Sequence, residues 1–276
     1  MRRHLKLSSL ALSVALFTSS ALGEAQSIKL MSLNIAHARA TGVTQLLQSD
    51  EDARQNLTHI AAIVRRESPH IVAFQEIDKD SFWNGSFDHG VFIAKQANYP
   101  YVYTGSDQKF LKLDYGTALM SRSSLQQSMA ISFEPPIARP GKGFVLSTIN
   151  WPGEDNFPVH VVSLHLDFLT TDKRRQEIER IITTLEPRER PEILMGDFNT
   201  EYIELKLIPY LSKTLNLHTW QPNMNLATFP TLKSRLDWVL VSEDFEFLDY
   251  RVLSDEVSDH MAIIAEIMLR REPIHL

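Results

Sequence analysis

Short apolar runs alternate along the chain with longer segments of helical periodicity. The runs have the length and the β-branched composition of strands. We predict nine strands, at residues 28–34, 71–76, 101–104, 116–121, 144–149, 159–165, 193–195, 236–241 and 261–268. Apolar residues recur every three or four positions in 51–67 and 172–185, and less regularly in 201–211, which predicts three amphipathic helices. Such alternation is typical of an α/β protein.

The connection between two predicted strands indicates how the sheet is built. Residues 144–149 and 159–165 are separated only by a turn-rich segment that contains Asn150-Trp151-Pro152-Gly153. Parallel neighbours need a crossover of about a dozen residues or more, so at least this pair is antiparallel and the sheet is mixed. We find no internal repeat and no long linker, and we predict one domain over residues 26–276.

The first 25 residues have the pattern of a signal peptide. Arg2, Arg3 and Lys6 form a basic start, residues 10–17 form an apolar core too short to span a bilayer, and small residues follow at 20–25. An amphipathic leader helix is the alternative. We expect removal of residues 1–25 and export to the periplasm or the medium, which changes the formal charge from −6 to −8.

Composition limits the available chemistry. The chain has 276 residues, 43% of them hydrophobic, which is enough for a sizeable core. It has no cysteine, which excludes disulfides, thiolate zinc sites, iron–sulfur clusters and cysteine nucleophiles. Any metal must therefore be held by carboxylate, amide or imidazole groups. No apolar run after the leader approaches the ~20 residues of a membrane span.

Polar side chains stand at the ends of several predicted strands. Asn34, Glu76, His165 and Asp197 each close an apolar run or follow it directly. In open α/β sheets, ligand sites assemble at this end of the strands. Further along the chain, Asp237 lies within an apolar segment, Asn199 follows Asp197, and Asp259-His260 precedes the last predicted strand.

These residue types favour a hard divalent cation. Carboxylates at Glu76, Asp197 and Asp259, with the amides of Asn34 and Asn199, offer the oxygen ligands of Mg²⁺, Mn²⁺ or Ca²⁺. In extended backbone Asp197 and Asn199 face the same way, so the pair can hold one water or one metal.

A histidine can complete such a site. Asp259 and His260 converge only if a turn precedes the last strand. A His260 close to Asp237 would have its imidazolium form favoured, and could act as a general base or stabilise charge in a phosphate transition state.

Each residue also has a structural interpretation. An Asp or Asn after a strand is often a turn former or a helix cap. Glu76 can belong to a structural ion pair, and His165 can be a core histidine whose ring nitrogens are hydrogen-bonded. The number of such residues together favours a site.

An ordered set of motifs resembles the endonuclease/exonuclease/phosphatase superfamily, which is related to pancreatic deoxyribonuclease, abasic-site endonucleases, neutral sphingomyelinases and inositol-polyphosphate phosphatases. The set extends over nearly all of the chain after residue 25. Its members are Asn34, Gln75-Glu76, Tyr115 to Arg122, Ser163-Leu164-His165-Leu166-Asp167, Gly196-Asp197-Phe198-Asn199, Arg235 to Val239 and Ser258-Asp259-His260. The resemblance implies a four-layer α/β sandwich, with two mixed sheets packed face to face between outer helices. It also implies hydrolysis of a phosphate ester by in-line attack of water.

The resemblance also implies roles for individual residues. Glu76 resembles the principal metal ligand, assisted by Asn34 and Asp259. Asp197 resembles the residue that orients or deprotonates the attacking water, and Asn199 the residue that holds the phosphate or that water.

Three further roles follow from the same resemblance. His260 resembles the acid/base histidine that contacts the phosphate, and Asp237 the carboxylate that orients it. His165 matches a second histidine of the deoxyribonuclease-like branch. The implied cofactor is Mg²⁺, with Mn²⁺ or Ca²⁺ as alternatives.

The substrate is less defined by sequence. We expect a monomeric phosphodiesterase of nuclease type; a phospholipid or a phosphomonoester is the alternative substrate, and a non-catalytic binding domain is disfavoured because all the catalytic positions are filled. The cluster Lys173-Arg174-Arg175 is either a nucleic-acid contact or a solvated helix face. Five aromatic residues could stack bases, touch lipid or pack in the core. They are Phe82, Trp83, Phe87, Trp151 and Phe157.

Overall fold

The computed structural model describes residues 26–110, 112–133, 141–154, 156–188 and 190–270. The predicted leader lies outside these residues, so its presence and the division into leader and one domain stay predictions. Within the described ranges the strands are β1 (Ile28–Asn34), β2 (Ile71–Asp78), β3 (Tyr101–Thr104), β4 (Gln108–Phe110), β5 (Leu113–Ser121), β6 (Gln126–Ser132), β7 (Gly143–Asn150), β8 (Pro158–His165), β9 (Glu192–Asp197), β10 (Leu217–Thr219), β11 (Asp237–Ser242), β12 (Phe245–Val252) and β13 (Ile263–Leu269). The helices are α1 (Asp50–Glu67), α2 (His89–Ala97), α3 (Thr171–Leu185) and α4 (Leu207–Thr214).

The strands form two mixed sheets. The first has the order β12-β13-β1-β2-β5-β3, with β4 also paired to β5, and the second has the order β10-β11-β9-β8-β7-β6. The pairs β1–β2 and β8–β9 are parallel, whereas β7–β8 is antiparallel, as the short connection predicts.

Three apolar clusters define the layers. One cluster joins the two sheets, with Leu30 and Ala73 of the first sheet packed with Val161 and Met195 of the second. A second cluster packs α1 and α2 on the outer face of the first sheet, and a third packs α3 and α4 on the second. The arrangement helix–sheet–sheet–helix confirms the predicted four-layer α/β sandwich.

Local sequence explains the two long helices. α1 starts at a capping box, in which Ser49 and Asp52 bond each other's backbone N–H groups, and ends at Ser68 in a left-handed conformation. Its apolar face is buried against the first sheet. α3 buries its isoleucines against the second sheet in the same way. The described part of the chain contains no helix that is long and apolar enough to cross a membrane.

All nine predicted strands are present, but the sequence patterns missed β4, β6, β10 and β12. Three of these, β6, β10 and β12, end a sheet, where one side of a strand remains unpaired and polar residues are tolerated. Helix α2 was also missed; it has nine residues and contains Gly90. The third helix was predicted at 201–211 but begins at Leu207, because Leu205 and Lys206 have φ of 58° and 54° and interrupt the helical path.

Candidate active site

A cleft of about 580 Å³ contains seven of the eight predicted site residues. They come from both sheets and from the loop between β12 and β13. The seven are Asn34, Glu76, His165, Asp197, Asn199, Asp259 and His260. The eighth, Asp237, is buried and bonded to His260.

A hydrogen bond joins the two sheets inside the cleft. Asn34 is the last residue of β1 and Asp197 is the last residue of β9. The Nδ2 of Asn34 donates to Oδ2 of Asp197 over 3.1 Å, and its Oδ1 accepts the N–H of Ala36 over 3.0 Å. Both side chains are thus held where their strands end.

Glu76 reaches the cleft through a β-bulge. We predicted that its strand ends there, but β2 continues to Asp78. The pairing with β5 shifts register between Phe74 and Ile77, and Glu76 has a φ of 49°. A bulge turns a side chain out of the alternation of the strand. The carboxylate of Glu76 meets Nζ of Lys142 at 3.1 Å.

A buried histidine lies behind Glu76. The Nδ1 of His37 is 3.0 Å from Oδ2 of Asp78, and its Nε2 is 3.8 Å from Oε2 of Glu76. Asp78 is fully buried and also accepts hydrogen bonds from Trp83 Nε1 and Asn84 Nδ2. Asp78 therefore fixes the ring that faces Glu76.

The charges around Glu76 keep it ionised. Burial would raise the pKa of the carboxyl group, but Lys142, His37 and His165 outweigh this effect and place the pKa well below its usual range. Burial would likewise lower the pKa of His37, yet Asp78 and Glu76 raise it overall. Glu76 is thus an anion that is surrounded by basic side chains.

Asp197 lies between two histidines. The Nε2 of His165 is 3.3 Å from its Oδ2, and Nε2 of His260 is 3.7 Å from the same oxygen. The Nδ1 of His260 is 2.8 Å from Oδ2 of Asp237, the first residue of β11, which pairs in register with Asp197. Against the effect of burial, the two imidazoles lower the pKa of Asp197.

The two histidines differ in charge. Burial lowers the pKa of His165, and the nearby ammonium of Lys142 lowers it further, so this imidazole is neutral at pH 7. Burial also opposes the charge on His260, but Asp237, Asp197 and Asp259 raise its pKa to about 10. The cleft therefore presents one neutral and one cationic imidazole to the carboxylate of Asp197.

The predicted pairing of Asp197 with Asn199 across extended backbone is wrong. Asn199 has a φ of 51°, and its backbone N–H donates to Oδ1 of Asp197 over 2.9 Å, as in an Asx turn. The Nδ2 of Asn199 donates to the carbonyl oxygen of Leu166. This leaves the amide oxygen of Asn199 as its acceptor at the cleft.

Asp259 and His260 both line the cleft because an irregular segment precedes β13, as the sequence required. Asp259 is paired with Arg39, at 2.7 Å between Oδ2 and Nη2. The sequence analysis did not single out Arg39, which stands in an alanine-rich segment after β1.

Two sets of ligands fit a divalent cation. The first is the predicted set of Glu76, Asn34 and Asp259, which all line the cleft. The second is Asp197, Asp237 and His260, whose ligand atoms lie within 4.8 Å of one another. The Oδ1 of Asp237 is buried without a hydrogen-bond partner, but His260 would have to lose its proton to bind a metal.

Lys142 is a site residue that the sequence patterns missed. Its Nζ contacts Glu76 and lies 2.9 Å from Nε2 of His165. A signal was present, because Lys142 stands between two glycines just before a buried strand. A Cβ on either Gly141 or Gly143 would collide with Asp107, so only glycine allows the backbone to pass there.

The aromatic and basic residues that the sequence selected lie in different parts of the structure. Trp151 is in the core and stacks on Phe245, and Phe157 packs against the same cluster. The aromatic residues that line the cleft are instead Phe168 and Phe229, which the sequence patterns did not select.

Three more of the candidate aromatic residues lie near Asp78. Trp83 bonds Asp78, Phe87 packs on Phe92, and Phe82 is 55% exposed. Within the basic cluster, Arg174 is buried and lines the cleft, whereas Arg175 is exposed.

The sequence matches the Endonuclease/Exonuclease/phosphatase family over residues 31–260, and the chain belongs to that family. None of the curated proteins matches the chain significantly.

Solved structures show the same fold at low sequence identity. An endonuclease/exonuclease/phosphatase from Beutenbergia cavernae has a TM-score of 0.73 and 19% identity over 90% of this chain and 73% of its own. The mannosyl-6-phosphatase of Bacteroides thetaiotaomicron has a TM-score of 0.66 and 17% identity, over 88% of this chain and 100% of its own. The human Nocturnin catalytic domain with bound sulfate has a TM-score of 0.63 and 20% identity, over 88% and 95%.

Proposed function

We propose that this protein is an exported, divalent-metal-dependent phosphodiesterase of nuclease type. The observation that carries the proposal is the environment of Asp197, a buried carboxylate between a neutral and a cationic imidazole, in one cleft with Glu76. Such an arrangement offers a proton acceptor, a proton donor and an anionic metal ligand around one phosphate.

Two aspartates of the second sheet and two histidines carry the proton chemistry. Asp197, ionised and held by Asn34 and by the N–H of Asn199, orients the attacking water and accepts its proton. His260 faces the phosphate as an imidazolium and donates a proton to the leaving oxygen, while Asp237 holds its ring. His165, neutral and beside Asp197, donates a hydrogen bond to a phosphate oxygen.

Residues near the first sheet would hold the cation. Glu76 would be the principal ligand, and the amide oxygen of Asn34 and the carboxylate of Asp259, which line the same cleft, would assist it. A bound Mg²⁺ or Mn²⁺ supplies positive charge to the phosphate oxygens. Lys142 contributes a second positive charge at Glu76, on the side of His165.

A second candidate keeps the site and changes the substrate to a phospholipid. Apolar side chains at the cleft favour it, since Phe168 is 50% and Leu232 67% exposed there. A phosphomonoester is a further possible substrate, as in the fold relative that is a phosphatase.

Export belongs to the same proposal. Its support is the pattern of residues 1–25 in the sequence alone. Sequencing the N-terminus of protein from the culture medium or periplasm tests it: a start near residue 26 is expected, and a full-length chain retained in the cytoplasm contradicts export.

A mixed-substrate assay tests the activity. Purified protein is incubated with bis(p-nitrophenyl) phosphate, plasmid DNA and phospholipid vesicles, with Mg²⁺, Mn²⁺ or Ca²⁺ and with EDTA. We expect metal-dependent release of p-nitrophenol and nucleotides. Release of phosphocholine from the vesicles instead identifies the phospholipid substrate. Release of inorganic phosphate from added p-nitrophenyl phosphate, without cleavage of the diesters, identifies a phosphomonoester substrate, and no turnover of any ester overturns the proposal.

A further inference from the structure

Arg174 is a guanidinium in the cleft without a carboxylate partner. Lys142 is paired with Glu76, and Arg39 is paired with Asp259. Among the described residues, no carboxylate lies within ion-pair distance of Arg174, although the residue is only 6% exposed. A buried cation without a counter-charge is costly, which points to an anion that arrives from outside the chain.

The fold holds this guanidinium in place. Arg174 lies in the first turn of α3, and its Nη1 donates to the carbonyl oxygen of Asp167 over 3.0 Å. The carboxylate of Asp167 accepts the N–H groups of Leu169 and Thr170 and so fixes the loop that carries this carbonyl. The Nε of Arg174 is buried and has no hydrogen-bond partner. Within the described residues, Nη1 of Arg174 therefore donates a hydrogen bond, and the other nitrogens of its guanidinium do not.

The buried acidic residue of α3, Glu177, does not form an ion pair with Arg174. Glu177 bonds the backbone N–H of Asp167, and burial raises the pKa of Glu177 to about 7, so it is partly protonated at neutral pH. Glu201 and Glu204, which also line the cleft, are exposed and would repel an anion from their own position. Arg174 is thus the residue on this part of the cleft wall that would attract a second anionic group.

An aromatic ring lines the same cleft as Arg174. Phe168 lies in the loop between β8 and α3, lines the same cleft, and is 50% exposed. Its ring centroid is 5.8 Å from Nζ of Lys142, which contacts Glu76 and His165. Phe168 therefore lies next to the residues that face the scissile phosphate, in the loop that leads to Arg174.

We infer that Arg174, beside Phe168, forms a subsite for a second phosphate group of the substrate, next to the scissile one. The guanidinium fork matches phosphate geometry, and Phe168 offers a face to the group that connects the two phosphates. The inference rests on the proposed phosphodiesterase function and deepens it: the preferred substrate carries a phosphate on each side of one sugar or similar unit.

Two chromogenic substrates that differ by one phosphate test the subsite. These are thymidine 5′-(p-nitrophenyl phosphate) and its 3′-phosphorylated form. We expect wild-type kcat/KM to be about tenfold higher for the 3′-phosphorylated substrate, through a lower KM, because one charge-assisted contact is added. In Arg174→Gln the ratio of the two kcat/KM values falls to about one, and Arg174→Lys restores part of it.

Arg175→Gln is the matched control, because Arg175 is the exposed neighbour on the same helix. It should keep the wild-type ratio. Equal kcat/KM values for both substrates in the wild-type enzyme would overturn the subsite while leaving the phosphodiesterase proposal intact. Hydrolysis of neither substrate, nor of any ester in the assay above, would instead overturn the proposed function.

Inhibition of the wild-type enzyme keeps the inference testable if Arg174→Gln fails to fold. Thymidine 3′,5′-bisphosphate and thymidine 5′-monophosphate are compared as competitors of bis(p-nitrophenyl) phosphate hydrolysis. We expect an inhibition constant about tenfold lower for the bisphosphate. Equal inhibition by the two nucleotides contradicts the subsite.

Discussion

Two buried aspartate–histidine pairs lie next to carboxylates of the cleft. Asp78 of the first sheet and His37 lie behind Glu76, whereas Asp237 of the second sheet and His260, from the loop between β12 and β13, lie beside Asp197. The two pairs have similar hydrogen bonds, of 3.0 Å and 2.8 Å.

Their surroundings differ. His37 is enclosed by the rings of Trp83 and Tyr115 and stands near the ammonium of Lys142. His260 faces carboxylates, which raise its pKa to about 10. Both histidines are buried, but of the two only His260 lines the cleft. His37, the enclosed histidine, can hold its carboxylate in place, whereas His260, the histidine open to the cleft, can exchange a proton with a ligand.

The largest effect is expected from removing the carboxylate on the second sheet. In Asp197→Asn the amide cannot accept a proton from water, and we expect kcat to fall by about 10³-fold or more. Initial rates of bis(p-nitrophenyl) phosphate hydrolysis at saturating metal measure this. Asp80→Asn, an exposed position, is the control. An activity for Asp197→Asn within tenfold of wild type would contradict the role given to the second sheet.

The next largest effect concerns the open histidine. His260→Gln should lower kcat by about 10²-fold. Because the raised pKa keeps His260 protonated at neutral pH, wild-type activity should decline as pH rises toward 10, and a cation bound near Asp197 would move this decline to lower pH. The variant should lack the alkaline decline. His59→Gln, on the exposed face of α1, should keep it, and an unchanged pH profile in His260→Gln would count against proton transfer by His260.

The enclosed histidine should affect metal affinity more than proton chemistry. His37→Gln loosens the group that faces Glu76, and we expect Mn²⁺ affinity to fall by about tenfold, with kcat at saturating metal little changed. Isothermal titration calorimetry with Mn²⁺ measures the affinity, again with His59→Gln as control. A loss of kcat without a loss of affinity would show that the two pairs do not differ in this way.

Much of the site and part of the fold could be predicted from the sequence. Asn34, His165 and Asp197 were found because each stands at the end of an apolar strand, and such ends are visible in the pattern of residues. The layers of the sandwich came from the family resemblance; periodicity alone indicated no more than an α/β protein with a mixed sheet.

The features of the site that sequence could not predict depend on backbone geometry or tertiary packing. Glu76 reaches the cleft by a bulge that no residue type announces, and Asn199 folds back in a left-handed conformation. The roles of His37 and Lys142 depend on contacts with strands that are distant in sequence. Arg174 was selected as one of three basic residues, but only the packing of α3 separates it from its exposed neighbour.

The central claim is that Glu76 of the first sheet holds the metal and that the pair of Asp237 and His260 moves the proton. Direct titration of Mn²⁺ into wild type, Glu76→Gln and Asp237→Asn tests it, with the exposed Glu246→Gln as control. We predict that Glu76→Gln weakens Mn²⁺ binding by at least about tenfold, whereas Asp237→Asn stays within about threefold of wild type. The opposite result, strong loss in Asp237→Asn and none in Glu76→Gln, would contradict the claim and place the metal at Asp197, Asp237 and His260.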